Sequence, residues 1–518
     1  MKKIIKEYKE QIKYFLTNKK YIVPVIFVAI LSYGFAVTHY SIGVDDLCFD
    51  RYVNGTYILS AKRWGTWLLY NILNIKEFTP FWLDFIVATF MVVIAIVMSA
   101  FIRKQVGDKI KGITYTIFSC LFISNPLVNQ FYIYQSTNLA IVISNLMVII
   151  CGIVVFENYF KENKNIIHIL SALVLMVPIS MYESCAQTYL VLIFIAIFIK
   201  VQDKNTNIKK LVGYFSLNIG LLIIGVLLYY ISGMIVIYIL KKFKILQSNF
   251  AYMSIIWNQN SFKQLDIFGK IEVLNSRIIK PIVNDSFKYL PITIMLTSNF
   301  IVILIELVNL IKTSKISRII AVLGMITSNF VLIILQGDIL YRTEFSMILT
   351  TAFVCSYIYQ ILNKKKCTKY IINVIVLLLV IFQTRTLNQY FYNDYKRYER
   401  EKTIANDIGT TIQKQYDYKN KYVVYVTSKA NEERENKYQL NKDNGLSVYN
   451  WGMEGFRERG TEITKFINNF GYNLKNAPDK ESFLAKNRWE KLDEEQKKKT
   501  IIELENTIIV NLDNYDLF

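Results

Sequence analysis

Long apolar stretches alternate with short polar segments between residues 21 and 385. A helix that crosses a bilayer needs roughly 20 apolar residues, and this requirement predicts about eleven crossings. The predicted spans are 21–39, 79–102, 113–128, 138–156, 166–181, 185–200, 211–240, 289–311, 317–336, 343–362 and 369–385. The pattern therefore indicates a mainly α-helical, polytopic membrane protein.

Basic residues divide the connecting segments between the two sides of the membrane. Lys and Arg cluster in alternate short segments, which are 103–111, 161–164, 200–210, 312–318 and 364–369. Short loops rich in Lys and Arg stay in the cytoplasm. The N-terminus, where residues 1–20 form a predicted amphipathic helix, is therefore cytoplasmic. The outer loops 40–78 and 241–288 and the C-terminus lie on the opposite side.

The tail, residues 386–518, differs in composition from the rest of the chain. It is rich in Lys, Glu, Asn, Asp and Tyr and has no apolar run long enough to cross a bilayer. Alternating apolar residues predict strands at 422–427 and 507–511, and helical periodicity predicts helices at 388–414 and 461–470. We expect a small extracytoplasmic α/β domain that recognises an acceptor, while residues 21–385 form the membrane domain that performs the chemistry.

Composition supports a membrane protein and argues against a nucleic-acid partner. The chain has 518 residues, of which 53% are hydrophobic, and its formal net charge is +20. The basic residues lie in short clusters between apolar runs, which is how topology signals are arranged. The excess positive charge is therefore assigned to membrane orientation.

The most informative polar segment follows the first predicted span. Asp45 and Asp46 stand side by side at the expected membrane boundary, and Arg51, Arg63 and Trp64 come soon afterwards. Carboxylates are rare at the membrane edge and often functional there, so this loop is our candidate active site. The alternatives are that Asp45 only caps a short helix and that Arg63 and Trp64 only anchor a helix at the interface.

Two other predicted outer helix ends carry polar groups. Glu183 and Gln187 flank one turn, and Arg342 lies near Asp338 and Glu344 at another. Charges that converge at several helix ends suit a lipid substrate that bears phosphate. The alternatives are that Arg342 pairs only with Asp338 or Glu344 and that Glu183 only caps the next span.

The order of these segments resembles a known enzyme family. The similarity lies in "THYSIGVDDLCFDRYVNGTYILSAKRWGTWLLYNIL", "FTPFWLDF", "SNPLVNQFYIYQ" and "MYESCAQTYL". Together they resemble the glucosyl transferase II family of bacterial membrane enzymes, within the GT-C superfamily of polyprenyl-phosphate-sugar-dependent glycosyltransferases. The chain departs from the family pattern at Tyr182-Glu183, where a Tyr-Gln pair is expected.

The resemblance implies transfer of a glucosyl or related hexosyl group from undecaprenyl-phosphate-sugar to a cell-surface glycan, such as O-antigen, teichoic acid or capsule, at the bacterial plasma membrane. An inverting transfer needs a carboxylate base and cations for the departing phosphate. Asp45 or Asp46 is the expected base. Arg51, Arg63, Trp64, Glu183, Gln187 and Arg342 are the expected donor-binding residues. No metal ligands are assigned, and a Mg²⁺ or Mn²⁺ ion bridging a carboxylate to the phosphate stays an alternative.

Two other functions also fit a polytopic protein with charged loops. A lipid-linked-glycan flippase would place its charges near the bilayer midplane and show internal symmetry. A glycan polymerase or ligase would use a lipid-diphosphate donor. Because the charges here lie at predicted outer helix ends and no internal repeat is evident, the monophosphate-dependent transferase is preferred.

The charge pattern makes a direct prediction about topology. In intact cells, a membrane-impermeant thiol reagent should label Ser60→Cys and Ala430→Cys, because both positions are expected outside. Lys104 and Lys365 are both expected in the cytoplasm, and Lys365→Cys should react only after the membrane is opened. Labelling of Lys365→Cys from outside would overturn the orientation.

Overall fold

The computed structural model describes residues 2–43, 45–48, 58–59, 61–75, 79–107, 110–162, 164–201, 207–243, 265–280, 290–313, 316–336, 341–364, 366–428, 447–451, 453 and 460–515. The described chain is mainly helical and contains a small sheet. It divides into two compact units. The first contains Met1–Thr38, Arg51–Tyr132 and Ser136–Asn388, and the second contains His39–Asp50, Ile133–Gln135 and Gln389–Phe518.

The α-helices in chain order are α1 (Lys2–Thr17), α2 (Lys19–Thr38), α3 (Trp64–Ile72), α4 (Trp82–Val106), α5 (Gly112–Ile123), α6 (Asn129–Ile133), α7 (Gln135–Glu157), α8 (Asn165–Met181), α9 (Cys185–Val201), α10 (Ile208–Lys242), α11 (Ile267–Leu274), α12 (Leu290–Thr313), α13 (Ile316–Gln336), α14 (Phe345–Leu362), α15 (Lys366–Gln415), α16 (Val448–Trp451), α17 (Thr461–Asn468), α18 (Asp479–Glu490) and α19 (Glu494–Lys497). The strands are β1 (Tyr422–Val426), β2 (Lys475–Asn476), β3 (Ile501–Leu504) and β4 (Thr507–Asn511).

Within the described residues, seven helices are long and apolar enough to cross a membrane: α2, α4, α7, α10, α12, α14 and α15. Apolar helices of 10–17 residues lie at Asn165–Met181, Cys185–Val201 and Ile316–Leu332. Many outward side chains are large and apolar, such as Ile223 and Leu227 on α10, which are 55% and 56% exposed. Such surfaces suit a hydrocarbon environment. The predicted count of eleven crossings stays a prediction.

The predicted span at 113–128 differs from the helix that forms there. Helix α5 has 12 residues, and Pro126–Val128 forms a separate 3₁₀ turn. The residue before a proline is disfavoured in the α conformation, which explains why the helix ends before Asn125 and Pro126. At 1.5 Å per residue, α5 is about 18 Å long, which is less than the hydrocarbon thickness.

The two helices predicted on either side of residue 386 are joined in the structure. The predicted span 369–385 and the predicted tail helix 388–414 are one continuous helix, α15, of 50 residues. A helix of this length extends about 75 Å, more than twice the thickness of the hydrocarbon core. No proline or glycine interrupts the sequence between the apolar and polar halves, so the change in composition does not break the helix. The division between the two units falls within α15, after Asn388.

A buried carboxylate ties the N-terminal helix to the first unit. Glu157, whose side chain is 1% exposed, pairs with Lys104 at 3.2 Å and Lys161 at 3.0 Å and accepts a hydrogen bond from Tyr8 at 2.9 Å. Glu7 on α1 pairs with Lys104 at 2.8 Å. These cations lower the pKa of Glu7 to about 2. The amphipathic helix predicted at residues 1–20 is therefore packed against α4 and α7 through charged as well as apolar groups.

The second unit is built around a mixed sheet with strand order β2-β1-β4-β3. β1 is parallel to β2 and β4, and β3 is antiparallel to β4. Ile404, Ile408 and Ile412 recur at four-residue intervals on α15, so they form one face and pack against one side of the sheet. Ala485 of α18 lies in the apolar cluster on the other side. The strands predicted at 422–427 and 507–511 correspond to β1 and β4.

The first predicted outer loop, 40–78, is divided between the units. His39–Asp50 belongs to the second unit, and the segment from Arg51 onward belongs to the first. The apolar side chains of Ile42 and Leu47 explain the assignment, since both are 7% exposed and lie in the core of the second unit. Most of the other predicted outer loop, 241–288, lies outside the described residues, although α10 continues to Lys242 and α11 lies at Ile267–Leu274.

The Glu157 cluster predicts a large stability effect. Glu157→Gln removes one of the two carboxylates that balance the buried positive charge of Lys104. Breaking a buried ion pair costs roughly 3–5 kcal/mol of stability. We expect a lower unfolding temperature in detergent. The matched control is Glu503→Gln, which removes the partly exposed partner of Lys421 and should cost about 1 kcal/mol or less. Equal effects of the two substitutions would contradict this interpretation.

Candidate functional site

Asp45 and Asp46 lie in a 3₁₀ turn that begins immediately after the Gly43-Val44 dipeptide. The turn covers Asp45–Cys48, and Asp46 is buried. The Oδ2 atom of Asp46 accepts a hydrogen bond from the backbone N–H of Gly43 at 2.8 Å. The N–H of Asp46 donates back to the Gly43 carbonyl at 3.3 Å. Asp46 is therefore bonded to Gly43 through both its side chain and its backbone.

Gly43 is the residue that this turn requires. A Cβ atom at position 43 would lie 2.2 Å from the carbonyl oxygen of Ile133 and 2.9 Å from Oδ2 of Asp46. The first contact is with backbone, which cannot rotate away. Any larger residue at position 43 would therefore displace the turn that carries the two carboxylates.

Arg63 and Glu183, both predicted donor-binding residues, form an ion pair in the first unit. Nε of Arg63 lies 3.0 Å from Oε2 of Glu183, and each side chain is 24% exposed. Tyr229 of α10 donates to Oε1 of Glu183 at 3.1 Å. The guanidinium of Arg63 lies 4.6 Å from the centre of the Tyr182 ring. This Arg63 cluster, made of Arg63, Tyr182, Glu183 and Tyr229, joins three separate segments of the chain.

The start of α3 is held tightly beside this cluster. A Cβ atom at Gly65 would lie 2.3 Å from the hydroxyl oxygen of Ser180, so only glycine allows the close approach of α3 to α8. Thr66 donates to the carbonyl of Met181 at 2.6 Å. Arg63 immediately precedes α3, so this packing fixes its backbone.

Trp64, another predicted donor-binding residue, lies next to Arg63 on α3. Its side chain packs against the apolar cluster formed by Leu59 and Leu240. The indole Nε1 atom is buried and has no hydrogen-bond partner among the described residues. A buried N–H without a partner costs free energy, so this group is an unusual feature of the first unit.

Gln187, another predicted donor-binding residue, is buried and contributes to helix packing. It is 1% exposed, and its side-chain amide donates to the carbonyl of Asn329 at 3.1 Å. Asn329 in turn donates to Thr350 at 2.9 Å. Gln187 therefore links α9 to α13 and α14, while its Oε1 atom has no hydrogen-bond partner within the described residues.

Arg342 lies in a 3₁₀ turn at Tyr341–Thr343, directly before α14, and is partly buried. The alternative partner Asp338 lies outside the described residues. Glu344 is fully buried, and one of its oxygens accepts a hydrogen bond from Thr343 at 2.9 Å. The other oxygen, Oε2, has no hydrogen-bond partner in the described part of the chain. Burial raises the pKa of Glu344 to about 8.

The structure therefore brings some predicted residues together and separates others by unit. Arg63 and Glu183 are directly paired in the first unit, where Trp64, Gln187 and Arg342 also lie, whereas Asp45 and Asp46 belong to the second unit. Arg51 lies outside the described residues. Across the described ranges, no group of three or more His, Cys, Asp or Glu side chains is arranged to hold a metal ion.

Three important residues were not predicted from the sequence. Tyr229 and Tyr182 complete the Arg63 cluster, but tyrosines are frequent in this chain and give no distinguishing signal. Arg397 on α15 is 1% exposed and contacts the backbone of the carboxylate segment. Its spacing from Asp394 and Glu401 is a recognisable helical ion-pair pattern. That pattern is usual on exposed surfaces, so the sequence does not reveal its burial.

The seven described helices that are long and apolar enough to cross a bilayer are characteristic of a polytopic membrane protein. A family model described as "Glucosyl transferase GtrII" matches residues 34–359. The chain belongs to this family of glucosyl transferases. Membership supports a transferase activity that uses a sugar donor and a glycan acceptor. No curated protein and no solved structure matches the chain at a significant level.

Glu344 makes stability depend on pH. Its folded-state pKa of about 8 lies above the ordinary value of 4.5, so its contribution is fully present below pH 4.5 and is lost as the pH rises through about 8. Glu344→Gln keeps a neutral side chain of similar shape. We expect the difference in thermal stability between the variant and the wild type to move in favour of the variant between pH 6 and pH 9. A difference that does not change with pH would contradict a protonated Glu344.

Proposed function

We propose that this protein is a glycosyltransferase of the bacterial plasma membrane. It moves a glucosyl or related hexosyl group from undecaprenyl-phosphate-sugar to a cell-surface glycan such as O-antigen, teichoic acid or capsule. The observation that carries this proposal is the family match, which begins at residue 34 and includes Asp45, Asp46 and Arg63. The catalytic centre and the carbohydrate acceptor are extracytoplasmic in this scheme.

The proposed reaction is an inverting displacement at the anomeric carbon. A carboxylate removes the proton from the acceptor hydroxyl as the new glycosidic bond forms and the bond to the donor phosphate breaks. Polyprenyl phosphate then leaves with the electron pair. We assign Asp45 as the base, because Asp46 is buried and already accepts the N–H of Gly43. Asp46 supports the geometry of the turn.

Arginine side chains supply the charge that the departing phosphate requires. Arg63 suits this role because Glu183 and Tyr182 hold its guanidinium while 24% of the side chain stays exposed. Charge-assisted hydrogen bonds to phosphate are about twice as strong as neutral ones. Arg342 and Arg51 are the further proposed phosphate ligands. The assignment of Arg51 is based on its position in the sequence alone.

Neutral polar groups are proposed to recognise the sugar. The buried indole N–H of Trp64 and the Oε1 atom of Gln187 have no hydrogen-bond partners among the described residues. A donor and an acceptor of this kind can bind sugar hydroxyl groups, which both donate and accept.

The outward apolar surfaces of the spans provide a medium for the polyprenyl chain. If a Mg²⁺ or Mn²⁺ ion takes part, Asp45 and Asp46 are the residues that would hold it, and the ion would supply further charge stabilisation.

The assignment of Asp45 predicts a selective loss of turnover. Asp45→Asn keeps the shape of the side chain but removes its basicity, so transfer should fall by roughly 10²–10⁴-fold. Donor affinity should change little, because the carboxylate is not the proposed phosphate ligand. Transfer from synthetic polyprenyl-phosphate-glucose and donor binding are measured on purified, folded protein.

The matched control is Lys402→Gln, which removes one partner of the partly exposed Lys402–Glu399 pair on α15. This control should turn over like the wild type. Near wild-type turnover in both Asp45→Asn and Asp46→Asn would refute a catalytic role for the carboxylate pair.

A further inference from the structure

The segment that carries Asp45 and Asp46 forms part of the core of the second unit. Ile42 and Leu47 flank the carboxylates, and each is 7% exposed. Both lie in the apolar cluster that includes Tyr398 and Ile404 of α15. The carboxylates therefore depend on residues about 350 positions later in the chain for their support.

Arg397 makes the most direct polar contact with this segment. Its side chain is 1% exposed, and its Nη2 group donates to the carbonyl oxygen of Ile42 at 2.8 Å. Nε donates to Oδ1 of Asp394 at 3.0 Å, and Nη1 donates to Oε2 of Glu401. The guanidinium of Arg397 thus connects the carboxylates of Asp394 and Glu401 to the backbone of Ile42.

Two more hydrogen bonds support the same segment from α15. The hydroxyl of Ser41 donates to Oδ2 of Asp394, the carboxylate that also pairs with Arg397. Tyr398 donates to the hydroxyl of Tyr40 at 2.9 Å. Residues 40, 41 and 42 are therefore each bonded to α15, and we call Tyr40, Ser41, Ile42, Asp394 and Arg397 the loop anchor.

The other partners of the loop anchor are also fixed. Oε1 of Glu401 accepts the N–H of Val448 at 3.1 Å, so the carboxylate that faces Arg397 is itself held by α16. On the far side of the segment, Gly43 approaches the Ile133 carbonyl so closely that a Cβ atom would be 2.2 Å away. The backbone is therefore contacted at Ile42 by Arg397 and at Gly43 by Ile133.

The chemistry of Arg397 suits positioning better than stability alone. Desolvating an arginine and two carboxylates is costly, and apolar residues of similar volume often stabilise a core equally well. Unlike apolar residues, arginine has a planar guanidinium whose N–H groups donate to several oxygen atoms in fixed directions. Positioning matters in catalysis, since a displacement of about 1 Å can lower the rate by about 10²-fold.

We propose that Arg397 is a positioning residue, which acts through the loop anchor to hold Asp45 and Asp46 in their reactive arrangement. This inference rests on the proposed function of those carboxylates. The second unit would then have a role in addition to the acceptor recognition expected from the sequence. Its helix α15 would support the turn that contains Asp45 and Asp46.

The test compares Arg397→Lys with Lys402→Gln in the full-length purified protein. Lysine keeps the positive charge between Asp394 and Glu401 but cannot bond both of them and the Ile42 carbonyl as a fork. We expect kcat to fall by about 10²-fold, with the Kd for polyprenyl-phosphate-glucose unchanged. Hydrogen exchange should become faster at residues 40–47 and stay unchanged in β1 and β4. Lys402→Gln, one turn further along α15, should match the wild type in every measurement.

Ser41→Ala provides a second variant that preserves all charges. It removes only the hydroxyl bond to Asp394, so we expect the same pattern with a smaller loss of kcat. If Arg397→Lys does not fold, this variant decides the question.

Wild-type kcat and wild-type exchange at residues 40–47 in a folded anchor variant would overturn the inference. Faster exchange throughout the second unit with an unchanged kcat per folded molecule would also overturn it, because that result describes a purely structural residue. If the wild-type protein transfers no sugar from the donor, the proposed function itself is wrong. This outcome is distinct from equal turnover in the wild type and the variant, which would contradict only the role of Arg397.

Discussion

Charged groups removed from water must be paired, and this constraint explains how the polar parts of the molecule are arranged. Arg397 is surrounded by Asp394, Glu401 and a backbone carbonyl, so its charge and its hydrogen-bond donors are compensated. Glu157 is compensated by Lys104 and Lys161 in the same way. Each cluster links segments that are distant in sequence. Pairing of buried charge therefore fixes local geometry as well as reducing the cost of burial.

The Arg63 side chain is held by neighbouring residues, as Arg397 is, but it is more exposed to solvent. Arg63 is bonded to Glu183 and stacked on Tyr182, but its side chain and that of Glu183 are each 24% exposed. Arg397, in contrast, is 1% exposed. A partly exposed and oriented arginine suits the binding of an anionic ligand, whereas a buried arginine suits the support of other residues. The two arginines thus provide distinct kinds of assistance to the proposed reaction.

The sequence predicts much of the architecture because membrane spans and strands leave strong local patterns. The apolar runs predict most of the long helices, and alternating residues locate β1 and β4 within one residue. The predicted tail helix ends within one residue of the end of α15, but the sequence predicts two helices where the structure has one, because a change from apolar to polar residues alters the environment of a helix without breaking it. The end of α5 was predicted too late, since apolar character continues through Pro126.

The candidate site was only partly predictable, for a physical reason. The pairing of Arg63 with Glu183 and the contact of Arg397 with Ile42 join residues 120 and 355 positions apart. No local pattern reports such contacts. The Asp45–Asp46 pair was identifiable because adjacent carboxylates after an apolar run are unusual. Its assignment to the second unit was not identifiable, because Ile42 and Leu47 resemble ordinary apolar residues of a loop near a membrane.

The donor in the proposed reaction is a sugar linked to a polyprenyl monophosphate. The most direct measurement mixes the purified protein and an acceptor glycan with either polyprenyl-phosphate-glucose or polyprenyl-diphosphate-glucose and measures the released lipid. We expect release of polyprenyl phosphate from the first donor together with glucosylation of the acceptor, and no turnover of the second. Turnover of the diphosphate donor alone would contradict it.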